Sequence, residues 1–176
     1  KAKKDGLPIT CDTAPPYFML NELSLENYRT FSKLSPPLRT EEDRNSIING
    51  ILDGTIDVIV SDHTPHDQDA KRLPFNQAEF GGVGLETLLP MTLNLVNNTK
   101  LGLIKAISLI TKNPSEILGL KTGKISPDSE ADLIVFDLEK PWKINSESFH
   151  SKSKNSPFDG ILVQGKNLMT FVRGRL

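Results

Sequence analysis

Apolar positions along this chain follow two rhythms. Ile56-Asp57-Val58-Ile59-Val60 is a short, β-branched run that reads as a buried strand. The polar residues Ser61, Asp62, His63 and Thr64, followed by Pro65, end it. Residues 7–13 form a second strand candidate, broken by Ala14-Pro15-Pro16-Tyr17-Phe18, because proline cannot donate to a central ladder. Helical spacing appears at Ile47, Ile48 and Ile51. The preceding Thr40-Glu41-Glu42-Asp43 offers an N-cap, acids in the first turn and a capping box through Asp43. That helix is expected to reach about Asp53 and stop at Gly54. Leu85, Leu88, Leu89, Thr92, Leu93 and Val96 predict an amphipathic helix ended by Asn97-Asn98. Another is expected over about 101–111. A short one then runs to Leu118, with Asn113 as cap, Pro114 at N1 and Gly119 closing it.

Beyond residue 120 the pattern changes to short β segments. These are residues 131–137, 161–164 and 168–172, the last two separated by a Gly165-Lys166-Asn167 turn. Strands alternating with helices and then followed by β segments predict an α/β fold with a β appendage. Between the periodic stretches, residues 21–33 read as a polar loop anchored by Tyr28 and Phe31. Residues 67–79 read as a charged loop, of a length that compact domains keep for lids or binding loops. Gly81, Gly82 and Gly84 are placed to let backbone approach a ligand closely.

Composition narrows the function classes. At 176 residues, with 37% apolar and 24% charged positions, the chain is a globular protein of one domain, or one and a half small ones. A net charge of −1 argues against a non-specific nucleic-acid binder. No apolar run approaches the roughly 20 residues of a membrane-spanning helix. The one cysteine, Cys11, has no internal disulfide partner, so a cytoplasmic setting is expected, with Cys11 a small core residue. Lys1-Ala2-Lys3-Lys4-Asp5-Gly6 opens without methionine and reads as the last turn of a helix. The sequence is therefore expected to be the C-terminal portion of a longer protein.

Asp62, His63 and His66 stand just past the 56–60 strand and include two of the three histidines. In parallel α/β proteins the carboxyl ends of strands are where ligands bind. Spacing alone leaves two readings open: a catalytic carboxylate with imidazoles, or a polar turn capped by Asp62. Arg39 is similarly open between holding an anion and pairing with Glu42 or Asp43. His150, among serines, is given no role.

The Asp62-His63-Thr64-Pro65-His66 string resembles the Asp-x-x-Pro-His motif that closes the eighth barrel strand of the amidohydrolase superfamily, and within it the dihydroorotases. Lys33-Leu34-Ser35-Pro36-Pro37-Leu38-Arg39 is similar to the family's Asn-Pro-Pro-Leu-Arg loop. Phe80-Gly81-Gly82-Val83-Gly84-Leu85-Glu86-Thr87 is similar to its Phe-Gly-x-x-Gly-x-Glu-Thr segment. Asn155-Ser156-Pro157-Phe158 matches the dihydroorotase tail, and Asn113-Pro114-Ser115-Glu116-Ile117-Leu118 the helix where the chain leaves the barrel. The resemblance implies the C-terminal part of a (β/α)8 TIM-type barrel, residues 1–120, followed by part of a small β-sandwich, residues 121–176.

It further implies a metal-dependent hydrolase of cyclic amides that interconverts dihydroorotate and N-carbamoyl-L-aspartate in pyrimidine biosynthesis. Asp62 would be the catalytic proton carrier and a metal ligand. His66, Phe80 and Gly81 would bind substrate, and Ser35, standing where the family has asparagine, would keep only a hydroxyl toward it. One or two zinc ions are implied for the full-length parent. Of the family's metal ligands only Asp62 lies in this chain, so the isolated chain is expected to hold no catalytic metal and to be inactive alone. Class I dihydroorotases carry Pro-His-His where this chain has Pro15-Pro16-Tyr17. That departure keeps open a catalytically silent partner of aspartate carbamoyltransferase. Hydantoinases and allantoinases share Asp-His-x-Pro but usually lack the following histidine, so His66 tilts the reading toward dihydroorotate. Homo-oligomerisation is a further expectation, since part of a barrel exposes strand edges.

Overall fold

In the computed structural model, which describes residues 1–176, the first strand β1 (Asp12–Thr13) lies parallel to β2 (Val58–Ile59), with Asp12 opposite Val58 and Thr13 opposite Ile59. The ladder extends past both strands, through Asp57 N–H to the Cys11 carbonyl and Val60 N–H to the Thr13 carbonyl, both at 2.8 Å. Parallel neighbours need a crossover. It is supplied by α1 (Pro15–Met19), two 3₁₀ turns over Glu22–Tyr28 and Thr30–Ser32, and α2 (Glu41–Asp53). The prolines that break the β pattern therefore start a helix: Pro15 takes the first helical position, where a missing N–H costs nothing, and Phe18 is fully buried.

α2 forms as its sequence dictates. Thr40 accepts from Asp43 N–H, Asp43 receives the Thr40 N–H in return, and Gly54 leaves the helix at φ +82°. After β2, a five-residue helix α3 (Gln68–Arg72) occupies what the sequence presents as an irregular loop. Its cap is Asp67, whose Oδ1 accepts from Ala70 N–H at 2.7 Å. Such a helix is too short for periodicity to reveal. A 3₁₀ turn (Leu85–Thr87), α4 (Leu88–Asn98), α5 (Leu103–Ile110) and α6 (Lys112–Ile117) follow. Asn113 does not cap α6. It lies inside the helix, and its side chain donates to the Asp57 carbonyl at 2.8 Å, tying α6 to the start of β2.

β3 (Leu133–Lys143) and β4 (Leu162–Phe171) make an antiparallel ribbon. The two short strands expected around Gly165-Lys166-Asn167 are one continuous strand. Register shifts next to Phe136 and between Asp137 and Pro141 absorb the irregular residues in place of a turn. Gly165 (φ +91°) is needed there: a Cβ would fall 2.3 Å from Leu93 Cδ1, and its carbonyl accepts from Trp142 Nε1 at 2.9 Å. Ile144, Phe149, Phe158 and Val163 join Phe18, Ile51, Ile59, Met91 and Leu109 in one buried cluster, so the ribbon and the α/β layer share a core.

Cys11 lies beside the edge of β1 that no strand covers in this chain, and is exposed there. Two expectations about side chains are corrected. Tyr28 is exposed and rests edge-on against Phe75. Gly82 and Gly84 admit the chain itself, since a Cβ on Gly82 would meet the Pro157 ring at 2.9 Å and the Asn155 carbonyl oxygen at 3.2 Å, and one on Gly84 the Ser61 carbonyl oxygen at 2.0 Å. No helix is long and apolar enough to cross a membrane.

Candidate active site

Asp62 follows β2 by three residues and sits at φ +47°, in the left-handed region that a non-glycine residue rarely adopts. This bend turns its carboxylate out of the strand direction, leaving it exposed at the edge of a cleft of about 510 Å³. Local strain of this kind concentrates at functional sites. Thr13 and Ala14 form the strand side of the cleft, Tyr17 comes from α1, and Ser35, Pro36 and Arg39 come from the loop before α2. Asp62 and Ser35 are thus brought together. Arg39 lies with them, its Nε 4.0 Å from Asp43 in a pair exposed on both sides. A surface pair of that geometry holds little energy, so the guanidinium is free to turn toward an anion.

Tyr17, from the Pro15-Pro16-Tyr17 segment that departs from the family pattern, also lines this cleft. Its hydroxyl lies 3.2 Å from the Pro36 carbonyl and 3.5 Å from Asp62 Oδ2. Burial, then the Asp62 charge, then the hydrogen bond to it hold the phenol well above its ordinary range. Tyr17 is consequently a neutral donor facing the carboxylate, where the resemblance leads one to expect an imidazole.

His66, Phe80 and Gly81 lie together in a second group outside the lining of this cleft. His66 Nε2 is 2.8 Å from the Phe80 carbonyl. A carbonyl only accepts, so Nε2 carries the proton and Nδ1 is left to other partners. Gly81 is buried at φ +114°, where a Cβ would press to 2.5 Å against Thr64 Cγ2, and its N–H donates to the Lys33 carbonyl at 2.9 Å. His63 is engaged at one nitrogen: its Nδ1 receives the N–H groups of Gly84 and Leu85 at 3.2 and 3.4 Å, which leaves the proton on Nε2.

Asn155 unites the two segments. It is buried, its Oδ1 accepts from His66 N–H at 3.3 Å, and its Nδ2 reaches the Thr64 and Gly81 carbonyls at 3.4 Å. Its own carbonyl accepts from Val83 N–H at 3.2 Å. A residue 89 positions away along the chain thereby sets the backbone of the His66 turn.

The donors present do not by themselves fit a metal centre. No three His, Cys, Asp or Glu side chains converge, and catalytic zinc normally takes three protein ligands. Asp62 is a single carboxylate, and both nearby imidazoles are turned to backbone groups.

Behind Phe80, Lys71 is fully buried, and burial followed by the Lys33 charge pulls it down to about 8 from 10.5, with Glu79 opposing. Between those values the unfolded chain binds more protons than the folded one, so folding stability rises with pH across that interval. The urea midpoint at pH 9.5 is accordingly expected to exceed that at pH 7.5 by more in the native chain than in Lys71→Met. An equal pH slope in the two would remove Lys71 as the cause.

Comparison with known proteins gives the family of the chain. Dihydroorotase of Anaplasma phagocytophilum is 49% identical over 174 residues, covering 99% of this chain and 39% of that protein. Dihydroorotase of Ehrlichia chaffeensis is 45% identical over 175 residues, again 99% of this chain and 39% of the relative. This chain therefore spans about two fifths of the length of such relatives. Among solved structures, L-hydantoinase (dihydropyrimidinase) from Arthrobacter aurescens superposes with a TM-score of 0.90 at 32% identity, covering 98% of this chain and 40% of that one. D-hydantoinase (dihydropyrimidinase) from a Thermus species, at 24% identity and a TM-score of 0.91, shares the fold. The Amidohydrolase family model matches residues 12–176. With an α/β layer that ends in an exposed, left-handed aspartate, this chain belongs to the amidohydrolase family.

Proposed function

We propose that this chain is the part of a dihydroorotase-type cyclic amidohydrolase that carries the eighth-strand aspartate, and that the full-length protein interconverts dihydroorotate and N-carbamoyl-L-aspartate. The observation that carries the reading is Asp62, held at φ +47° at the end of β2 beside Tyr17 and Ser35 in one cleft. Relatives named dihydroorotase, 42–49% identical over nearly the whole chain, support the substrate class. On this reading residues 1–120 complete a (β/α)8 barrel and residues 121–176 contribute to a small β-sandwich. A cytoplasmic place in pyrimidine synthesis follows from the same reading, as does a second copy of the protein as partner.

Opening the ring by water requires one proton to leave the attacking oxygen and one to reach the departing nitrogen. Asp62 takes the first and delivers it as the second, which its exposure and the neighbouring Tyr17 hydroxyl suit. Ser35 and Arg39 face the same space and hold the polar edge of the ring. His66 stands at the substrate carboxylate, with Phe80 and Gly81 shaping the pocket beside it while the Gly81 N–H stays on Lys33 and the Phe80 carbonyl on His66. Zinc, as the metal of the full-length enzyme, would count Asp62 as one ligand and take the others from outside this chain.

The similarity to L-hydantoinase favours a second reading, a cyclic amidohydrolase acting on an uncharged ring. Tyr17, standing where an imidazole is expected, favours a third, a silent partner of aspartate carbamoyltransferase. The test uses the full-length enzyme carrying His66→Ala. KM for dihydroorotate should rise and kcat/KM fall at least about tenfold, about 1.4 kcal/mol. Unchanged kinetics would take His66 out of the substrate site.

A further inference from the structure

Two buried lysines stand directly behind the Phe80–Gly81 segment, and neither has an acidic partner. Lys71 is 0% exposed and Lys33 7%. Lys71 Nζ donates to the carbonyls of Glu79 at 2.7 Å, Gly81 at 2.9 Å and Lys33 at 3.4 Å. Lys33 Nζ donates to the Ala78 carbonyl at 2.6 Å and the Asn76 carbonyl at 3.4 Å, and lies 4.4 Å from the centre of the Phe80 ring. Neither ammonium is within 4.0 Å of a carboxylate, whereas Lys3 and Arg44 are paired with Asp57 and Glu41. Buried cations are ordinarily paired, because removing a charge from water is costly. A fold that keeps two of them on carbonyls and, for Lys33, the Phe75 and Phe80 rings, with no carboxylate, bears that cost for a reason.

Carbonyl dipoles satisfy the N–H groups but leave the net charge in place. The acid that acts on Lys71, Glu79, is exposed and screened by solvent. The pair therefore sends a positive field through a poorly screened interior toward the face where His66 meets Phe80. The same contacts fix geometry. The Lys33 carbonyl takes both Gly81 N–H and Lys71 Nζ, and Lys33 is two residues from Ser35 on the cleft. One cluster thus locks the Ser35 loop to the Phe80–Gly81 loop.

We propose that Lys33 and Lys71 are positioning and specificity residues: their uncompensated charge behind His66, Phe80 and Gly81 selects a cyclic amide that bears a carboxylate over an uncharged ring. This rests on the reading above, in which that segment faces the substrate. It also separates dihydroorotate from hydantoin-like substrates on physical grounds, because an anion gains from the field and a neutral ring does not.

The experiment measures the full-length enzyme at pH 7, where Lys71 keeps its proton, with dihydroorotate as substrate and its uncharged carboxamide as competitive inhibitor. Lys71→Met and Lys33→Met are each expected to raise KM for dihydroorotate at least tenfold while changing kcat less than threefold. The Ki of the carboxamide should move less than threefold, and Lys71→Arg should recover most of the affinity for dihydroorotate. If Lys71→Met does not fold, Lys33→Met decides alone. Equal loss of affinity for the charged and uncharged ligands, or an unchanged KM, overturns the inference and leaves dihydroorotase activity standing. A native enzyme that acts on no dihydroorotate removes the functional reading, and this inference with it.

Discussion

Replacing Asp62 by asparagine in the full-length enzyme is expected to lower kcat for dihydroorotate by about 1,000-fold, within the range that a positioned acid–base group contributes. Asparagine keeps the size of the side chain, tolerates the left-handed backbone that Asp62 adopts at φ +47°, and still accepts from Tyr17 through its amide oxygen. It cannot carry a proton between water and the ring nitrogen. Binding should suffer less than turnover, so KM should move severalfold while kcat collapses. The packing around Asp62 should change little, since within this chain the carboxylate is exposed and forms no ion pair. A variant that retains more than a tenth of native kcat would remove Asp62 from the chemistry.

The second large effect is structural. Gly84→Ala places a Cβ 2.0 Å from the Ser61 carbonyl oxygen. The obstruction is backbone, not the end of a flexible side chain, so one of two segments must retreat. Ser61 immediately precedes the strained Asp62, and Gly84 N–H donates to His63 Nδ1. Retreat by either segment breaks the anchoring of the aspartate turn. Overpacking in a rigid site costs about 1–3 kcal/mol and occasionally more, and the lost amide bond adds about 1 kcal/mol. A loss of about 3 kcal/mol in urea unfolding is therefore expected. Gly102→Ala, where a Cβ meets nothing within 4 Å, serves as the control. Native-like stability in Gly84→Ala would mean that the Ser61 carbonyl yields freely, and the tight packing under Asp62 would then not be a constraint.

Elements encoded within a few residues were legible in the sequence. Thr40, Asp43 and Gly54 specify both ends of α2 by contacts no further than one turn away. The apolar 56–60 run places β2, and the polar residues after it place Asp62 at the strand end. Groups whose role depends on distant segments were not legible. Tyr17 reaches Asp62 across 45 residues, Lys71 reaches the Lys33 carbonyl across 38, and Asn155 reaches His66 across 89. Tyr17 and Asn155 stand in segments that the resemblance singles out, yet neither segment tells which distant residue it meets. Lys71 lies in a charged stretch that looks solvated, and only the turn of chain over it at residues 76–81 makes it a buried cation. The continuous β4 was missed for a related reason. Gly165 looks like a turn residue until Leu93 of α4 is packed against it.

The most direct measurement of the proposed function is a comparison of kcat/KM for dihydroorotate and for hydantoin in the full-length enzyme, under one buffer and one metal supply. Dihydroorotate is expected to be preferred at least about 100-fold, about 2.7 kcal/mol of differential transition-state stabilisation. Equal or greater activity on hydantoin, or no hydrolysis of dihydroorotate by a folded, metal-loaded enzyme, would contradict it.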